Sequence, residues 1–194
     1  MRKKRLILIG GGGHCRSCID VIEQEAKYEI AGIVDMPEKI GSKVLGYPII
    51  GSDNDMHDIA KNYANFFITI GHLTDVSNRI KVFNILRGLK VNLPIIISPL
   101  AYISSHALVD SGSIIMHHSI VNSGASVGKN TIINSKALIE HDAIIGNHCH
   151  ISTGAIINGG VEVGDMTFYG SGAVSKQNTK IPERSFIKAN SLVK

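Results

Sequence analysis

Residues 120–164 read IVNSGASVGKNTIINSKALIEHDAIIGNHCHISTGAIINGGVEVG, and this stretch decides the fold. An aliphatic residue returns at every sixth position, and four residues after it stands a small side chain, usually Ala, Ser or Thr. Ile or Val occupies positions 103, 109, 115, 121, 127, 133, 139, 145, 151, 157, 163, 181 and 187, and only Tyr169 and Ser175 depart from the pattern. Helices repeat near 3.6 residues and strands near 2, whereas a sustained period of six predicts a parallel β-helix. Three such hexads make one coil of 18 residues, so the repeats predict five coils.

The chain before the repeats predicts a small α/β domain. Arg5–Ile9 and Ile30–Val34 are expected to be strands on either side of a helix over about residues 14–27. Further helices are expected over about 53–63 and 76–89, with strands at 47–50, 66–70 and 93–97. The Ser98-Pro99 pair marks a boundary, because the residue before proline is biased away from helix. We therefore expect a Rossmann-like nucleotide- or sugar-binding domain over residues 1–98 and a β-helix domain over residues 99–194.

The composition is that of a globular protein without a nucleic-acid or membrane partner. The 194 residues are 44% hydrophobic and 19% charged, with a net charge of +4 and no tryptophan. Apart from Arg2-Lys-Lys-Arg5 the basic residues are scattered, so no basic stripe for nucleic acid is predicted. No apolar run approaches the ~18 residues that a membrane span needs. With only three cysteines, expected to be reduced, the sequence predicts a cytoplasmic protein.

Four glycines, Gly10–Gly13, follow the first predicted strand and open the first helix. The second strand ends at Asp35, as in βαβ units that place a phosphate at the helix N-terminus. A dinucleotide fingerprint would need a further glycine at position 15, which is Cys15. The spacing therefore favours a single nucleotide or a nucleotide-sugar phosphate, and a tight turn without a ligand is the alternative.

The cysteines and histidines do not predict a metal site. Cys15 and Cys18 have the spacing of a zinc or redox pair, but no second pair completes a zinc site, so core cysteines are the simpler interpretation. Residues 18 apart stack in a β-helix of this period, and no histidine of the repeats has another histidine 18 residues away.

His141 is the best candidate for chemistry. It stands at an outward position of its hexad, with Ser123 and Gly159 as its predicted neighbours in the stack, and Asp142 follows it. An adjacent carboxylate orients an imidazole and makes it a stronger base. His150 is a second candidate, because it occupies a hexad position where aliphatic or aromatic residues are usual. For both residues, an exposed histidine without a role is the alternative.

The whole chain resembles the bacterial sugar acyltransferases of the left-handed β-helix class. The likeness is strongest to the group with UDP-4-amino-sugar N-acetyltransferases and sialic acid O-acetyltransferases. The segments that carry it are the turn Gly10–His14, the strand ends at Asp35 and Ile70-Gly71, Leu138–Gly146, His150–Gly154, Asn158-Gly159 and Tyr169–Ser171. Some members have a second acid after the strand-end Asp, where this chain has Met36.

The resemblance implies an acetyl-CoA-dependent acetyltransferase that needs no metal and works as a homotrimer in surface glycan synthesis. His141 would be the general base and Asp142 the residue that strengthens it. The residues expected to contact acetyl-CoA are His150, which would meet the thioester, Gly159, Ser171, Lys188 and Ala189. Those expected to hold the sugar or its nucleotide are Gly12, Gly13, His14, Asp35 and Gly71.

Two alternatives stay open at the level of sequence. One histidine base serves amine and hydroxyl acceptors alike, so N-acetylation of a nucleotide-linked 4-amino-deoxysugar and O-acetylation of sialic acid are both compatible with it. A more distant alternative is a nucleotide-dependent dehydrogenase or a ligand-sensing module with an inert, trimerising solenoid. The missing third glycine argues against the dehydrogenase.

Overall fold

The computed structural model describes residues 3–194 and divides into two compact units. The N-terminal unit comprises the residues up to Gly71 together with Ser77–Pro94. The C-terminal unit comprises His72–Val76 and Ile95–Lys194. Arg2, the first residue of the basic run, lies outside the described residues. The domain boundary expected at residue 98 stays a prediction, which separate expression of residues 1–98 and 99–194 would test.

The N-terminal unit is an α/β layer built on one sheet. Its strands are β1 (Lys4–Ile9), β2 (Tyr28–Val34), β3 (Lys43–Val44), β4 (Tyr47–Gly51) and β5 (Asn65–Ile68), and its helices are α1 (Gly13–Glu25), α2 (Met56–Asn62) and α3 (Ser77–Gly88). The sheet order is β3-β4-β2-β1-β5. All neighbours are parallel except the hairpin of β3 and β4.

The sequence pattern explains this layer. Leu6–Ile9 of β1 are all buried, as a strand covered on both faces must be. Cys15, Cys18, Ile19 and Ile22 share the buried face of α1, which confirms the two cysteines as core residues. Phe83 and Leu86 of α3 pack with residues of β1 and β5 in one cluster. Burial of side chains of this size contributes roughly 1.5–3 kcal/mol each.

Three parallel sheets form the C-terminal unit and run along the faces of a β-helix. Face 1 contains β7 (Tyr102–Ile103), β10 (Ile120–Val121), β13 (Leu138–Ile139), β16 (Ile156–Ile157), β19 (Val174–Ser175) and β22 (Leu192–Val193). Face 2 contains β8 (Leu108–Val109), β11 (Ser126–Val127), β14 (Ile144–Ile145), β17 (Glu162–Val163) and β20 (Lys180–Ile181). Face 3 contains β6 (Ile96–Ile97), β9 (Ile114–Ile115), β12 (Ile132–Ile133), β15 (His150–Ile151), β18 (Phe168–Tyr169) and β21 (Phe186–Ile187).

One strand differs from the sequence-based expectation. Residues 93–97 were expected to form the last strand of the α/β domain, but the strand is limited to Ile96–Ile97 and pairs with Ile114–Ile115 of face 3. The run Leu-Pro-Ile-Ile-Ile is apolar in either context, so its hydrophobicity alone cannot assign it to one sheet. The structure adds this strand to the solenoid before the first predicted hexad.

The hexad phase is confirmed by the pairing and the burial. Ile120 pairs with Tyr102 on one side and Leu138 on the other, so partners stand 18 residues apart. The second residue of each strand points inward, and its neighbours in the stack form one continuous core from Ile97 to Val193. Tyr169 and Ser175, the two departures from the pattern, also point inward, with 0% and 1% of their surfaces exposed. The predicted fold class, an α/β unit followed by a left-handed parallel β-helix, is confirmed.

The corners explain why the period is six. From Gly112 to Asn190, a residue with a positive φ recurs at every sixth position, one in each of these corners. Five of them are glycines, and the others include Asn130, Asp142 and Asn178, with φ between 53° and 59°. For a residue with a Cβ this conformation costs roughly 1–2 kcal/mol, so the stacked core must stabilise the corners that lack glycine.

Candidate functional site

The N-terminal unit contains a cavity of about 530 Å³ at the end of its parallel strands. Its walls are Ile9–His14, Val34–Pro37, Lys39, Ser52–Asn54, Thr69–Gly71 and Asn78. All five residues expected to hold the sugar or its nucleotide line it: Gly12, Gly13, His14, Asp35 and Gly71. The structure therefore brings these residues together, and their role as ligands stays a prediction.

The glycine turn leaves the first N–H groups of α1 available to a ligand. Gly12 is the N-cap of the helix, and no side chain caps it. A Cβ added to Gly12 or Gly13 would meet no atom within 4 Å, so the backbone at these positions faces open space. Gly10 is needed for a different reason, because its φ is 99° and a Cβ would lie 2.5 Å from Ile70 Cγ1. Uncapped N–H groups at a helix N-terminus are suited to an anion.

Asp35 is an anchored carboxylate at the wall of this cavity. Its Oδ2 atom accepts hydrogen bonds from Gly11 N and Lys39 Nζ, each at 3.0 Å, and its Oδ1 atom accepts one from Met36 N at 2.8 Å. Burial acts to raise the pKa of Asp35, but the hydrogen bonds from Lys39, Met36 and Gly11 outweigh it and keep the pKa below its ordinary value. The carboxylate is therefore charged at neutral pH.

Two residues that the sequence analysis missed shape the same wall. Arg79 is 1% exposed, and its Nη1 atom donates to the carbonyl oxygens of Ile68 and Ile70. The hydroxyl of Thr69 lies 3.0 Å from Ile9 O and 2.5 Å from Gly10 O. Together they fix the end of β5 against the glycine turn. A charged residue among the apolar positions of α3 was the signal that could have identified Arg79.

His141 and Asp142 form a hydrogen-bonded pair in the C-terminal unit. They lie at the corner between face 1 and face 2, where Asp142 has a φ of 59°. His141 Nδ1 and Asp142 Oδ2 are 2.9 Å apart. This hydrogen bond, supported by the nearby charges of Asp142 and Glu140, raises the pKa of His141 above its ordinary value. Because the carboxylate accepts a hydrogen bond from Nδ1–H, neutral His141 keeps its proton on Nδ1 and carries its lone pair on Nε2.

Gly159 lies one coil further along and contacts the His141 ring. A Cβ added to Gly159 would be 2.6 Å from His141 Nε2, so no larger residue fits beside the ring in this position. The backbone joins the same coils, with Gly160 N donating to His141 O and Asp142 N to Ser123 O. The predicted stacking neighbours of His141, Ser123 and Gly159, are thus its neighbours in the structure.

His150 is buried, and both its ring nitrogens are engaged. It is 6% exposed, and its Nδ1 lies 2.7 Å from the carbonyl oxygen of His72. Because a carbonyl only accepts, Nδ1 carries the proton, and Nε2 accepts from the Asn134 side chain at 3.1 Å. The ring also packs edge-on against Phe168 and His72. Contact of His150 with a thioester stays a prediction, but this tautomer leaves no ring N–H for an oxyanion.

The remaining residues expected to meet coenzyme A lie at a different corner. Ser171 bonds the Ser152 hydroxyl at 2.9 Å and accepts Asn190 N through its carbonyl. Lys188 and Ala189 are exposed, and Ala189 N would be 2.6 Å from a Cβ added to Gly170. These residues meet between face 3 and face 1, whereas His141 and Gly159 lie between face 1 and face 2. In a single chain, face 1 separates the two groups.

Two features are absent from residues 3–194. No three His, Cys, Asp or Glu side chains come together in a way that could hold a metal ion. Within the same residues, no helix is long and apolar enough to cross a membrane.

Comparisons with known proteins bear on both units. Residues 5–86 match the PglD N-terminal domain family. No curated protein sequence matches the chain. Among solved structures, the chain is similar to the acetyltransferase domain of PglB from Neisseria gonorrhoeae FA1090, with 25% identity and a TM-score of 0.90 over 99% of this chain and 92% of that one. The same domain has been solved in complex with acetyl coenzyme A, at 26% identity and a TM-score of 0.82, over 99% of this chain and 93% of that one.

A second similar structure contains a coenzyme and a nucleotide sugar. It is a mutant of perosamine N-acetyltransferase from Caulobacter crescentus in complex with CoA and GDP-perosamine. It shares 27% identity and a TM-score of 0.91 over 97% of this chain and 88% of that chain. These comparisons confirm the resemblance to hexapeptide-repeat sugar acetyltransferases.

Proposed function

We propose that this chain, which is similar over nearly its whole length to hexapeptide-repeat sugar acetyltransferases, transfers the acetyl group of acetyl-CoA to the amino group of a nucleotide-linked 4-amino-deoxysugar. The solved relatives bound to acetyl coenzyme A and to GDP-perosamine support the donor and the class of acceptor. The observation that carries the proposal is the pair His141–Asp142 with its free Nε2 beside Gly159.

The reaction follows from that geometry. The acceptor amine attacks the thioester carbonyl carbon, and His141 Nε2 removes the proton that the nitrogen must lose. Asp142 balances the charge of the imidazolium that forms. The C–S bond then breaks, the thiol of coenzyme A leaves with the proton held by His141, and the amide remains on the sugar. A positioned base of this kind typically contributes about 10²–10⁴ in rate.

The negative charge that develops on the carbonyl oxygen needs a hydrogen-bond donor. The His150 ring has no N–H to spare. The backbone N–H of Gly159 is the better candidate, because Gly159 adjoins His141 Nε2 and backbone donors of this kind stabilise oxyanions. Ser171, Lys188 and Ala189 are proposed to hold the rest of coenzyme A, with the Lys188 ammonium suited to a phosphate.

The nucleotide of the acceptor is proposed to occupy the cavity of the N-terminal unit. Its diphosphate would bind the uncapped N–H groups of Gly12 and Gly13 at the start of α1. The anchored carboxylate of Asp35 at the end of β2 would accept a ribose hydroxyl, as acids in this position do in nucleotide-binding βαβ units. His14 and Gly71, whose atoms adjoin each other across the cavity wall, would direct the sugar.

We further propose a homotrimer that works in the cytoplasm. The outward residues of face 1 are apolar in every strand, namely Tyr102, Ile120, Leu138, Ile156, Val174 and Leu192. A second solenoid against this face would bury them and bring corner residues of neighbouring chains towards each other. The three free cysteines are those expected of a reducing compartment.

Product mass after incubation with acetyl-CoA tests the proposal. The acceptor panel contains UDP-, GDP- and dTDP-linked 4-amino-4,6-dideoxysugars together with free and nucleotide-linked sialic acids. We expect a gain of one acetyl group on a nucleotide amino sugar, with the amide identified by its resistance to mild base. Acetylation of sialic acid alone would replace the acceptor proposed here with a hydroxyl, and no acetylation of any acceptor would contradict the proposed reaction.

A further inference from the structure

Tyr169 and Ser175 occupy inward positions in consecutive hexads, where the other hexads have Ile or Val. Both are buried in the solenoid core, and their sizes differ in opposite directions from an aliphatic side chain. Interiors are packed at nearly constant density. The large phenol of Tyr169 therefore fills space that would otherwise demand a branched side chain at position 175.

The small residue at 175 changes the hydrogen-bond ladder of face 1. In the two preceding coils, the residue after the inward one donates its N–H to a backbone carbonyl, from Asn122 N to Ile139 O and from Glu140 N to Ile157 O. Asn158 N donates instead to the hydroxyl of Ser175 at 2.8 Å. As a result β16 and β19 pair at Ile156 and Val174 only, without the second rung found between the other strands of this face.

The carboxamide of Asn158 is redirected by the same change. Its Nδ2 donates to the carbonyl oxygen of Ser175 at 2.5 Å. In the preceding coils the equivalent side chain turns the other way and caps the next N–H. Asn122 Oδ1 caps Ser123 N at 3.0 Å, and Glu140 Oε2 caps His141 N at 3.2 Å.

Gly159 is the residue left uncapped. Within residues 3–194 no group accepts a hydrogen bond from its N–H, although the residue is buried. It is also the residue against which His141 Nε2 packs. The backbone hydrogen bonds of face 1 are therefore altered in the same coil in which a free Gly159 N–H next to the proposed base could bind an oxyanion.

The phenol group of Tyr169 supports this arrangement without ionising. Burial raises the pKa of Tyr169 to about 12, although the nearby Ser175 hydroxyl acts to lower it. Within the described chain the Tyr169 hydroxyl has no hydrogen bond of standard geometry. Its contribution is therefore volume, together with a polar neighbour for Ser175.

We propose that Tyr169 and Ser175 are positioning residues for acetyl transfer, an inference that rests on the function proposed above. Tyr169 fills the core so that a small polar residue can stand at 175. Ser175 then draws both the backbone and the side chain of Asn158 towards itself. The Gly159 N–H stays free to donate to the thioester oxygen as negative charge develops on it.

The test restores the regular hexad with the double variant Tyr169→Ile/Ser175→Val. We expect it to fold with a Tm at least equal to the parent's, because it carries the side chains of the other hexads. Asn158 should return to the backbone ladder, and its Oδ1 should cap Gly159 N. Loss of one oxyanion donor costs about 10²–10³ in kcat. Since a cap competes with the substrate without removing the donor, we expect kcat to fall about 10- to 100-fold with the acceptor KM unchanged.

A rescue separates positioning from simple damage to the core. Asn158→Ala in the regular-hexad background removes the cap, so kcat should recover at least fivefold. Loss of kcat without this recovery would overturn the inference, as would a double variant with kcat within threefold of the parent.

Should the double variant not fold, Ser175→Ala tests the same point and should lower kcat severalfold, whereas a change below twofold counts against the inference. Ile181→Val, an inward change on face 2, is the control and should leave kcat unchanged.

A second readout distinguishes this inference from the proposed function. In protein labelled with ¹⁵N-glycine, acetyl-CoA alone should shift the amide proton of Gly159 downfield in the parent and not in the double variant. This shift does not depend on any acceptor. If the parent shows the shift but acetylates no sugar, the proposed acceptor is wrong and the inference on Tyr169 and Ser175 stands. If the parent is active but the shift is equal in the parent and the double variant, only that inference is overturned.

Discussion

The imidazole of His141 has one nitrogen hydrogen-bonded to a carboxylate and the other next to a glycine, and the proposed mechanism gives the two nitrogens different tasks. Its side chain is 57% exposed, and removal of the ring creates no cavity in the core. His141→Ala should therefore leave the Tm within about 2 °C of the parent, while kcat falls by about 10²–10⁴. Steady-state kinetics at saturating acetyl-CoA and acceptor measure the loss.

The matched control for this change is His106→Ala, an exposed histidine of the same solenoid. It should keep the parental kcat. A His141→Ala variant with kcat within about fivefold of the parent would remove this histidine from the mechanism.

The proposed role of Asp142 predicts a defined dependence of the reaction on pH. The base must be neutral to accept a proton, so kcat/KM rises as His141 loses its proton. The hydrogen bond with Asp142 raises the pKa of His141, and Asp142→Asn should remove most of that effect. The acidic limb of the pH profile should then move to lower pH, while the plateau falls because the imidazole is a weaker base. Asp110→Asn, which changes an exposed acid at another corner, is the control and should leave the pH profile unchanged. If the acidic limb of the Asp142→Asn profile lies at the parental pH, Asp142 does not raise the pKa of His141.

The sequence could identify His141, Asp142 and Gly159 as neighbours because the 18-residue coil fixes which residues stack. It could not show that His150 is buried with both nitrogens engaged, since this depends on the carbonyl of His72, 78 residues away along the chain. Lys39 and Arg79 were missed for a similar reason, because their partners are a strand-end carboxylate and two backbone carbonyls. Long-range polar contacts leave no periodic trace in a sequence.

Side chains of one coil form hydrogen bonds with backbone groups of the next coil, and one column of stacked corner residues is an example. Ser113, Thr131, Cys149 and Thr167 stand 18 residues apart, and each donates to a carbonyl oxygen 15 residues further on. The next N–H in the column bonds back to the hydroxyl of Ser113 and of Thr131. Burial raises the pKa of Cys149 to about 12, so this thiol acts here as a donor and not as a nucleophile.

This column predicts the response to substitution at position 149. Cys149→Thr and Cys149→Ser keep a donor for Gly164 O and should change stability little. Valine has nearly the same shape as threonine, but Cys149→Val leaves the partly buried carbonyl of Gly164 without its hydrogen bond, which costs about 1–3 kcal/mol. Thermal unfolding at one fixed protein concentration compares the three variants. A Val variant as stable as the Thr variant would show that this column is held by packing alone.

At the scale of the whole molecule, face 1 is the surface proposed to join the subunits. Its outward residues are apolar along all six strands, and Tyr102, Ile120 and Leu192 are 59%, 38% and 63% exposed in the single chain. Contiguous exposed apolar surface of this kind marks an interaction site. Face 2 has a different composition, because it also carries Ser126, Glu162 and Lys180 in outward positions.

The proposed trimer therefore predicts a difference between two faces of one solenoid. Light scattering should give the parent a mass near three times 20.9 kDa. Ile120→Asp/Leu138→Asp places charges on face 1 and should give monomers with little activity. The reason is that Ser171, Lys188 and Ala189, proposed to hold coenzyme A, lie at the corner on one side of that face, and His141 lies at the corner on the other side. Ile144→Asp is the matched control, since Ile144 is a 50% exposed isoleucine on face 2. It should keep the trimer and the activity. If the trimer survives the charges on face 1 but dissociates with Ile144→Asp, the subunit contact lies on face 2. If the parent is a fully active monomer, one chain completes the site by itself.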